Sequence, residues 1–418
     1  MNEFLNEIGQ VTKIFIQTPG VFNREISNES IMKIKILITI HIFTLLFLVP
    51  YKCHGNSNLR TLDKTDPAEV TNSPDLKIPE KANPTEVSNS SKAENTISHP
   101  AAQWMSGKWG IGWRIRAGNN KWVKKFKVQR LVKQVQSISG VSYVLFNLSQ
   151  GASGDRYLAP HSVLSKINPR SCPSRDLFGE LATAFQAAGY KVIAYMATEG
   201  PAKLHHGKKN AFDWNGQTSP SVDNWTAWVK EHYGSSDEPT LKKAYAEVIV
   251  GEFARRYGTK IDGWWFDHAS FGNIGLIHQE ITKVNPKAIL TFNRGKLGTT
   301  LNNNPYYEDF TFGHPIPLRR MPANSQRNLR MVTAIEASAN GFIIKNGKSS
   351  LGHMFMPMCD RWNTGKSIVW PEEQAVDWMQ RVLKAGGAWT WNVPFDHKRS
   401  VLRQDCVDFA KRVGSQLP

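Results

Sequence analysis

The sequence predicts an α/β fold of the (β/α)8 TIM-barrel class in residues 103–418. Short apolar runs of strand length alternate there with amphipathic segments of helical length. The strand-length runs are apolar along their whole length, which is typical of parallel strands that are covered on both faces. About eight repeats within roughly 315 residues favour a closed barrel over an open doubly wound sheet.

The predicted elements follow one another along this segment, and several predicted helices end at Gly or Asn-Pro stop signals. Strands are predicted at 109–115, 141–148, 190–197, 261–267 and 288–292, then near 309–312, 331–335, 353–358 and 388–393. Helices are predicted at 122–139, 175–189, 240–257, in a segment ending at 284, and at 372–384 and 401–414. The first strand is not followed by a Gly-x-Gly-x-x-Gly motif, and the chain contains no Gly-Lys-Ser/Thr phosphate loop, which disfavours a nucleotide-binding fold.

The N-terminal part has the sequence pattern of a secretion signal. Residues 32–35 form a short basic start before a mostly apolar run at 36–49, the pattern of a secretory signal, and cleavage is expected after Gly55. Residues 1–55 are therefore predicted to be an extension with a secretion signal, with Met32 as an alternative start and a retained anchor as the competing interpretation. Residues 56–102, rich in Ser, Thr, Asn, Pro, Lys and Glu, are predicted to be a flexible linker. We expect a secreted, periplasmic or cell-surface protein without stable membrane insertion after signal cleavage.

Positive charge is concentrated in the predicted barrel. The formal net charge is +17, yet residues 1–100 hold 10 Lys/Arg and 11 Asp/Glu, which leaves 42 and 24 for the rest. The chain also contains 14 tryptophans, and tryptophan suits sugar faces as well as bases. A basic, Trp-rich body indicates an anionic polymer as partner. Export argues against a nucleic acid and favours an acidic polysaccharide.

No cofactor or metal site is predicted. The three cysteines beyond the signal, Cys172, Cys359 and Cys406, are widely spaced, show no metal pattern or disulfide framework, and are expected to be packing residues. Residues 205–209 contain two His and two Lys without a carboxylate at ligand spacing, so a basic loop that steers an anionic substrate is favoured over a metal site.

Asp267 is the strongest catalytic candidate. In a parallel barrel, chemistry lies at the C-terminal ends of strands, and Asp267 ends a strand of Ile, Trp, Trp and Phe. An unpaired carboxylate at that position would be costly to bury, so it needs a partner or a chemical role. Trp265 would supply an apolar wall against a sugar. A helix-capping or Arg-paired aspartate is the competing interpretation.

A glycosidase also needs a group that protonates the leaving oxygen. In retaining enzymes this group lies roughly 5–5.5 Å from the carboxylate nucleophile. Later strand ends and loops offer His314 and Glu336, with Glu308 and Asp360 as weaker alternatives. Histidine is suitable because its ordinary pKa lies near neutrality.

Further polar and aromatic residues at strand ends are candidates for substrate binding. Asn293 and Arg294 could bind hydroxyls or an anionic substituent, although a salt bridge across the barrel rim is the alternative for the pair. The tryptophans could stack on sugar rings, although core packing is equally compatible with their positions. The predicted substrate-binding residues are Trp113, Arg114, Asn147, Trp265, Asn293, Arg294 and Trp391.

The order of the motifs resembles the α-L-fucosidases of glycoside hydrolase family 29. Segments 108–113, 175–192, 293–295 and 387–394 resemble its first strand, its third strand with the preceding helix, its Asn-Asp-Arg segment and its final strand. Segment 257–267 closely matches the stretch that ends in that family's nucleophile. The resemblance implies a TIM barrel and a retaining mechanism in which Asp267 forms a glycosyl-enzyme.

The departures from the family pattern are informative. Residues 147–152 replace a His-rich motif that holds the fucose hydroxyls, and Trp113-Arg114 replaces a first-strand His. His314 stands where many members have an acid/base Glu, as in related sulfated-fucan hydrolases, whereas Glu336 loosely resembles the Ala-Glu stretch that other members use. We therefore expect a retaining glycoside hydrolase that cleaves α-linked fucose or a related sugar in a sulfated or otherwise anionic polysaccharide. A non-catalytic carbohydrate-binding barrel is the alternative.

Overall fold

The computed structural model describes residues 101–149, 156–198, 201, 220–269, 272–294, 301, 306–315, 322–345 and 348–418. All of them belong to one compact unit, Lys92–Pro418. The predicted secretion signal, most of the predicted linker and the basic segment at 205–209 lie outside the described residues.

A curled, parallel seven-stranded sheet forms the centre of the fold, which confirms the predicted α/β class. Its strand order is β5-β4-β3-β2-β1-β9-β8, and every neighbouring pair is parallel. The strands are β1 (Trp109–Trp113), β2 (Val141–Asn147), β3 (Lys191–Ala197), β4 (Gly263–Asp267), β5 (Ile289–Phe292), β8 (His353–Pro357) and β9 (Ala388–Asn392). Two short antiparallel pairs are β6 (Phe342–Lys345) with β7 (Lys348–Leu351), and β10 (Phe395–Asp396) with β11 (Val401–Leu402).

An irregular segment at 309–313 connects the two edges of this sheet. The Asp309 N–H donates to the Leu290 carbonyl of β5 at 2.9 Å, and the Thr311 N–H donates to the Leu351 carbonyl at 2.8 Å. The Phe355 N–H of β8 donates to the Gly313 carbonyl at 3.0 Å. The segment therefore occupies the position of the strand predicted at 309–312, although it forms only isolated ladder contacts.

A buried histidine holds this segment to β8 and β9. Nδ1 of His353 donates to the Thr311 carbonyl at 3.0 Å, and Nε2 lies 2.8 Å from Oγ1 of Thr390. Burial lowers the pKa of His353 to about 3, so its ring is neutral and serves as a hydrogen-bonding spacer.

Helices cover the outer face of the sheet. In chain order they are α1 (Lys121–Lys124), α2 (Val128–Gln136), α3 (Leu164–Ile167), α4 (Leu177–Ala187), α5 (Pro220–Tyr233), α6 (Glu238–Ala244), α7 (Gly251–Tyr257), α8 (Ile274–Thr282), α9 (Gln326–Glu336), α10 (Glu372–Lys384) and α11 (Gln404–Gly414). A π-helical turn, Tyr245–Val250, joins α6 to α7, so the predicted helix at 240–257 is helical throughout.

The prediction of a strand at 331–335 is wrong, because these residues belong to α9. Met331, Val332 and Ile335 are buried together on one side of that helix. Their spacing of one and four residues matches the helical period rather than the two-residue period of a strand.

The strands separate an inner from an outer apolar cluster. Leu145, Tyr195 and Trp265 lie in the inner cluster, whereas Phe146 and Trp264, their neighbours in sequence, lie in the outer cluster under the helices. Successive strand side chains point to opposite faces, and both faces of this sheet are buried. The C-terminal strand ends all reach the same rim, where Arg114 after β1 meets the inner side chains of β3, β4 and β9.

The cysteines pack in the interior, as expected. All three cysteines in the described ranges are buried, and the sulfurs of Cys359 and Cys406 lie 3.5 Å apart. Within the described ranges, no helix is long and apolar enough to cross a membrane. No group of three or more His, Cys, Asp or Glu side chains among the same residues could hold a metal ion.

A tight backbone contact between two turns requires glycine at position 341. Gly341 has φ +79°, and a Cβ atom there would collide with the backbone of Gly386 and Gly387, which precede β9. Gly234 has almost the same dihedral, φ +76°, but has open space around it.

These two glycines form a matched pair for a stability test. We expect Gly234→Ala to lower the free energy of unfolding by roughly 1–2 kcal/mol, the cost of a left-handed alanine. Gly341→Ala should cost about 1–3 kcal/mol more, because its methyl group also overpacks a backbone contact. Guanidinium denaturation of both variants measures the difference, and equal losses would contradict the packing argument.

Candidate active site

A pocket opens at the C-terminal rim of the sheet, where the prediction placed the chemistry. Its cavity volume is about 210 Å³. Drug-sized ligand sites span roughly 300–1,000 Å³, so this pocket suits a single saccharide ring better than an oligosaccharide. The pocket is lined by Trp113, Arg114, Leu145, Tyr195, Trp265, Asp267, His268, His314, Phe355, Trp362, Asn363 and Asn392.

Three donors position the carboxylate of Asp267. Oδ1 accepts hydrogen bonds from Nδ2 of Asn293 at 2.8 Å and from the His268 N–H at 3.0 Å. Oδ2 accepts a hydrogen bond from Oη of Tyr195 at 2.5 Å. Asp267 is only 8% exposed, and the three donors provide the partners that a buried carboxylate at a strand end requires.

Tyr195 links Asp267 to a cation. Nη2 of Arg114 donates to Oη of Tyr195 at 2.6 Å and lies 3.8 Å from Oδ2 of Asp267. The guanidinium also stands over the Tyr195 ring, 4.4 Å from its centroid. Because Arg114 donates to the phenol oxygen, the phenol hydrogen is directed to Asp267.

The surroundings keep Asp267 ionised. Burial alone would raise its pKa, but the charges of His268, Arg114 and His314, together with the hydrogen bond from Tyr195, outweigh burial and hold the pKa of Asp267 below its ordinary value. A carboxylate in this state is a nucleophile or an electrostatic stabiliser, and it is not a proton donor at neutral pH.

His314 faces the same pocket with one ring nitrogen fixed. Nδ1 lies 2.8 Å from the Pro315 carbonyl and must donate to it, so Nε2 is the nitrogen that gains and loses a proton. The ring packs against Trp362, with 4.6 Å between centroids. Burial lowers the pKa of His314, while the negative charge of Asp267 raises it, so the two groups are electrostatically linked.

Aromatic side chains form the apolar wall of the pocket. The ring of Trp265 stacks on Tyr195 with centroids 5.3 Å apart and meets Phe355 edge-on at 5.4 Å. Its Nε1 donates to the Phe312 carbonyl at 3.0 Å, which fixes the indole to the irregular segment that connects the sheet edges. Such rigid aromatic surfaces suit the apolar face of a sugar.

The structure brings part of the predicted site together. Arg114, Trp265, Asp267 and His314 line the pocket, and Asn293 touches the Asp267 carboxylate directly. Trp113 reaches the pocket edge, but its ring stacks on Phe146 in the outer cluster, with 5.4 Å between centroids.

Three other predicted substrate-binding residues have partners elsewhere. Asn147 is fully buried and clamps the backbone of Ile115 through both side-chain atoms. Trp391 lies in the outer cluster, where its Nε1 meets the sulfur of Met379. Arg294 lies 3.8 Å from buried Glu308, as in the salt-bridge alternative. None of these residues lines the pocket.

The structure does not bring Glu336 to the pocket. It ends α9 on the outer surface and forms a two-pronged ion pair with Arg381, both contacts at 2.7 Å. That pair holds the pKa of Glu336 below its ordinary value, which is unfavourable for a general acid. Asp360, a weaker alternative, accepts backbone hydrogen bonds within an exposed turn.

Several pocket residues were missed by sequence reasoning. Tyr195 and Phe355 lie inside apolar runs, where the pattern predicts that an aromatic side chain is buried in the hydrophobic core. Trp362 and Asn363 belong to a loop far along the chain, and Asn363 adopts φ +58° and pairs with Asn392 through a hydrogen bond of 2.8 Å between their side chains. Only His268 had a local signal, its position directly after Asp267.

Fold and site together define a barrel-like α/β protein of the glycoside hydrolase type. The family model described as endo-alpha(1,4)-fucoidanase Mef1 matches residues 99–304 and 298–417. These matches span more than half of the chain, which therefore belongs to this family. The predicted relationship to the fucosidase-like hydrolases, on the side of the sulfated-fucan hydrolases, is confirmed.

Solved structures of glycoside hydrolase family 107 show the same fold at low sequence identity. The endo-fucoidan hydrolase P5AFcnA of glycoside hydrolase family 107 is 20% identical, with a TM-score of 0.64 over 76% of this chain and 93% of that chain. The family 107 hydrolase MfFcnA4 is 20% identical, with a TM-score of 0.65 over 77% of this chain and 54% of that chain, so this chain spans about half of its length. The α-L-fucosidase isoenzyme 1 from Paenibacillus thiaminolyticus is 17% identical over 76% of this chain and 75% of that chain, with a TM-score of 0.49. No curated protein matches the chain.

The electrostatic link between Asp267 and His314 can be measured without substrate. We expect Asp267→Asn to lower the pKa of His314 further, because the neutral amide removes the negative charge that stabilises the imidazolium. NMR titration of the histidine ring signals measures the change. His278 on α8, whose pKa is lowered by burial alone, is the internal control. An unchanged His314 titration would contradict the arrangement.

Proposed function

We propose that this protein is a secreted, retaining glycoside hydrolase with a (β/α)8-barrel catalytic domain that cleaves α-linked fucose inside a sulfated polysaccharide. The observation that carries the proposal is the shared pocket of an ionised Asp267 and a half-buried His314 at the C-terminal rim. Membership in a family described as endo-alpha(1,4)-fucoidanase supports the α-linked fucose and the internal cleavage.

In the first step, Asp267 attacks the anomeric carbon of the sugar in the pocket. The bond between this carbon and the leaving oxygen breaks, and the imidazolium of His314 gives the Nε2 proton to that oxygen. An ester forms between Asp267 and the sugar, and His314 becomes neutral.

In the second step, water replaces the released chain. Neutral His314 takes a proton from the water through Nε2, the water oxygen bonds to the anomeric carbon, and the ester bond to Asp267 breaks. Two displacements at one carbon restore the original anomeric configuration. The carboxylate and the imidazolium are both regenerated.

The two oxygens of Asp267 have different roles in this proposal. Oδ1 is held by a backbone amide and by Asn293, so it positions the group. Oδ2 accepts the hydrogen bond from Tyr195 and lies 3.4 Å from Nε2 of His268 and 3.8 Å from Arg114, and we assign the attack to this oxygen. Tyr195 can turn its hydrogen away as the charge on Oδ2 disappears into the ester.

Charge supports an anionic substrate. Residues 101–418 hold 42 Lys/Arg against 24 Asp/Glu, and Arg114 carries a full positive charge at the pocket with a partly exposed side chain. A cationic cleft attracts a polyanion and accelerates its association. The sulfate esters of a fucan provide that negative charge, and the predicted secretion signal would bring the enzyme to an extracellular polysaccharide.

Active-site variants test the assigned roles. We expect Asp267→Ala to abolish the release of reducing ends from sulfated fucan, and His314→Gln to lower kcat by about 10²–10⁴-fold, the usual contribution of general acid–base catalysis. Glu336→Gln is the matched control and should change kcat/KM less than about twofold, because Glu336 belongs to a surface ion pair.

The chemical fate of the nucleophile distinguishes an enzyme from a binding protein. Added azide should restore turnover to Asp267→Gly and yield a glycosyl azide of inverted configuration, because azide replaces the missing carboxylate. Undiminished hydrolysis by Asp267→Ala would overturn the mechanism. Binding without turnover across a broad glycan panel would favour the non-catalytic barrel.

The hydrogen bond from Tyr195 predicts a pH effect. This bond lowers the pKa of Asp267, so Tyr195→Phe should raise that pKa. Attack requires the ionised carboxylate. In the pH profile of kcat/KM, the acid limb should therefore move to higher pH, while the alkaline limb stays in place. Tyr190→Phe, a change just before β3, is the control and should leave both limbs unchanged. An unmoved acid limb in Tyr195→Phe would refute the assignment.

A further inference from the structure

A second concavity lies beside the pocket on the same rim. It has a cavity volume of about 430 Å³. We call it the β1–β9 groove, because the loops after these two strands form it. The groove is lined by Arg116, Trp122, Phe395, His397, Lys398 and Arg403, with Pro394 and Asp396 between them.

Strand pairing places the groove next to the pocket. Gly112 of β1 pairs with Asn392 of β9, and the Val393 N–H donates to the Gly112 carbonyl at 2.8 Å. After β1, Arg114 lines the pocket and Arg116 lines the groove. At the end of β9, Asn392 lines the pocket and Pro394 lines the groove. Two residues span at most about 7 Å, so a polymer that leaves the pocket along these loops enters the groove directly.

Three cations line the groove, and Arg403 among them pairs with Asp405 at 2.6 Å, whereas the other two lack a carboxylate partner among the described residues. Among the described residues, no carboxylate oxygen lies within 4.0 Å of the side-chain nitrogens of Arg116, Lys121 or Lys398. Asp396 faces the groove, but its Oδ1 accepts the backbone N–H groups of Lys398 and Arg399 at 2.9 and 3.2 Å. Its Oδ2 lies 3.8 Å from Nε of Arg399, so Asp396 pairs with Arg399 and leaves Arg116 and Lys398 available to a ligand.

Aromatic and polar groups accompany this charge. Trp122 is half-buried, and the Lys121 ammonium lies 4.9 Å from its ring centroid, so a cation and an apolar surface stand side by side. Nδ1 of His397 is enclosed and has no hydrogen-bond partner within the described part of the chain. A sulfated sugar carries groups that complement these side chains, namely anionic esters, an apolar ring face and hydroxyl groups.

We propose that the β1–β9 groove binds a sulfated segment of the polysaccharide that continues from the sugar in the pocket. This inference rests on the proposed function and extends it, because it assigns a chain-binding site next to a pocket that fits a single ring. The groove contributes affinity for a long anionic chain, whereas bond cleavage stays with Asp267 and His314.

A charge-only variant tests the groove without removing its apolar contacts. Arg116→Gln combined with Lys398→Gln removes two positive charges from exposed or partly exposed side chains. The control combines Lys260→Gln with Lys287→Gln, which removes the same charge from two exposed lysines that precede β4 and β5 at the opposite end of the sheet. Both variants therefore have the same net charge.

Binding is measured by affinity electrophoresis in gels containing sulfated fucan or its desulfated form. We expect the groove variant to bind sulfated fucan about tenfold more weakly than the control variant, which corresponds to two weakened exposed charge contacts. Binding to the desulfated chain should be weak for both variants. Equal binding of sulfated fucan by the two variants would overturn the proposal, as would an equal loss on the desulfated chain.

Hydrolysis gives the second readout. The groove variant should lose about tenfold in kcat/KM on the polysaccharide and keep the wild-type kcat on an aryl glycoside whose one sulfated fucose ring occupies the pocket. Full activity of the groove variant on the polysaccharide would overturn the proposal. If the wild-type protein hydrolyses no fucan at all, the proposed function fails, and the binding comparison still decides on the groove.

Discussion

The ionised carboxylate of Asp267 is the constraint on which the site depends. A negative charge that is only 8% exposed must be matched, and the structure matches it with a phenol, an amide, a backbone N–H and three nearby cationic or titratable groups. These partners come from the ends of β1, β3, β4 and β5 and from the loop that carries His314. The demands of one buried charge therefore fix the geometry of most of the rim.

The parallel sheet explains why these groups meet. Neighbouring parallel strands end at the same rim, so Arg114, Tyr195, Asp267 and Asn293 come together although they are spread over about 180 residues of sequence. The same rule places the β1–β9 groove beside the pocket, since residues two positions apart after β1 and at the end of β9 line the two cavities. The irregular segment at 309–313 then joins the sheet edges and brings His314 to the carboxylate.

The sequence predicted Asp267 because a carboxylate at the end of an aromatic strand is physically conspicuous. It could not settle which face each strand residue occupies, because both faces of a parallel sheet are apolar and the period-two signal is lost. Trp391 and Trp113 were therefore expected at the substrate, although their rings lie in the outer cluster, and Tyr195 was overlooked. Glu336 was a candidate because it follows the strand predicted at 331–335 and resembles the Ala-Glu stretch of the family, whereas its salt bridge with Arg381 depends on how α9 packs against α10.

In the proposed mechanism, a histidine suits an anionic substrate better than a second carboxylate would. A protonated glutamate in this pocket would need its pKa raised well above the ordinary value, and in its ionised form it would repel sulfate esters. Burial instead lowers the pKa of His314, and the charge of Asp267 opposes that shift. A bound sulfate near the pocket would stabilise the imidazolium and raise that pKa, because opposite charges favour ionisation. The anionic substrate would therefore supply part of the electrostatic energy that keeps His314 protonated. A neutral substrate would not raise the pKa of His314 in this way.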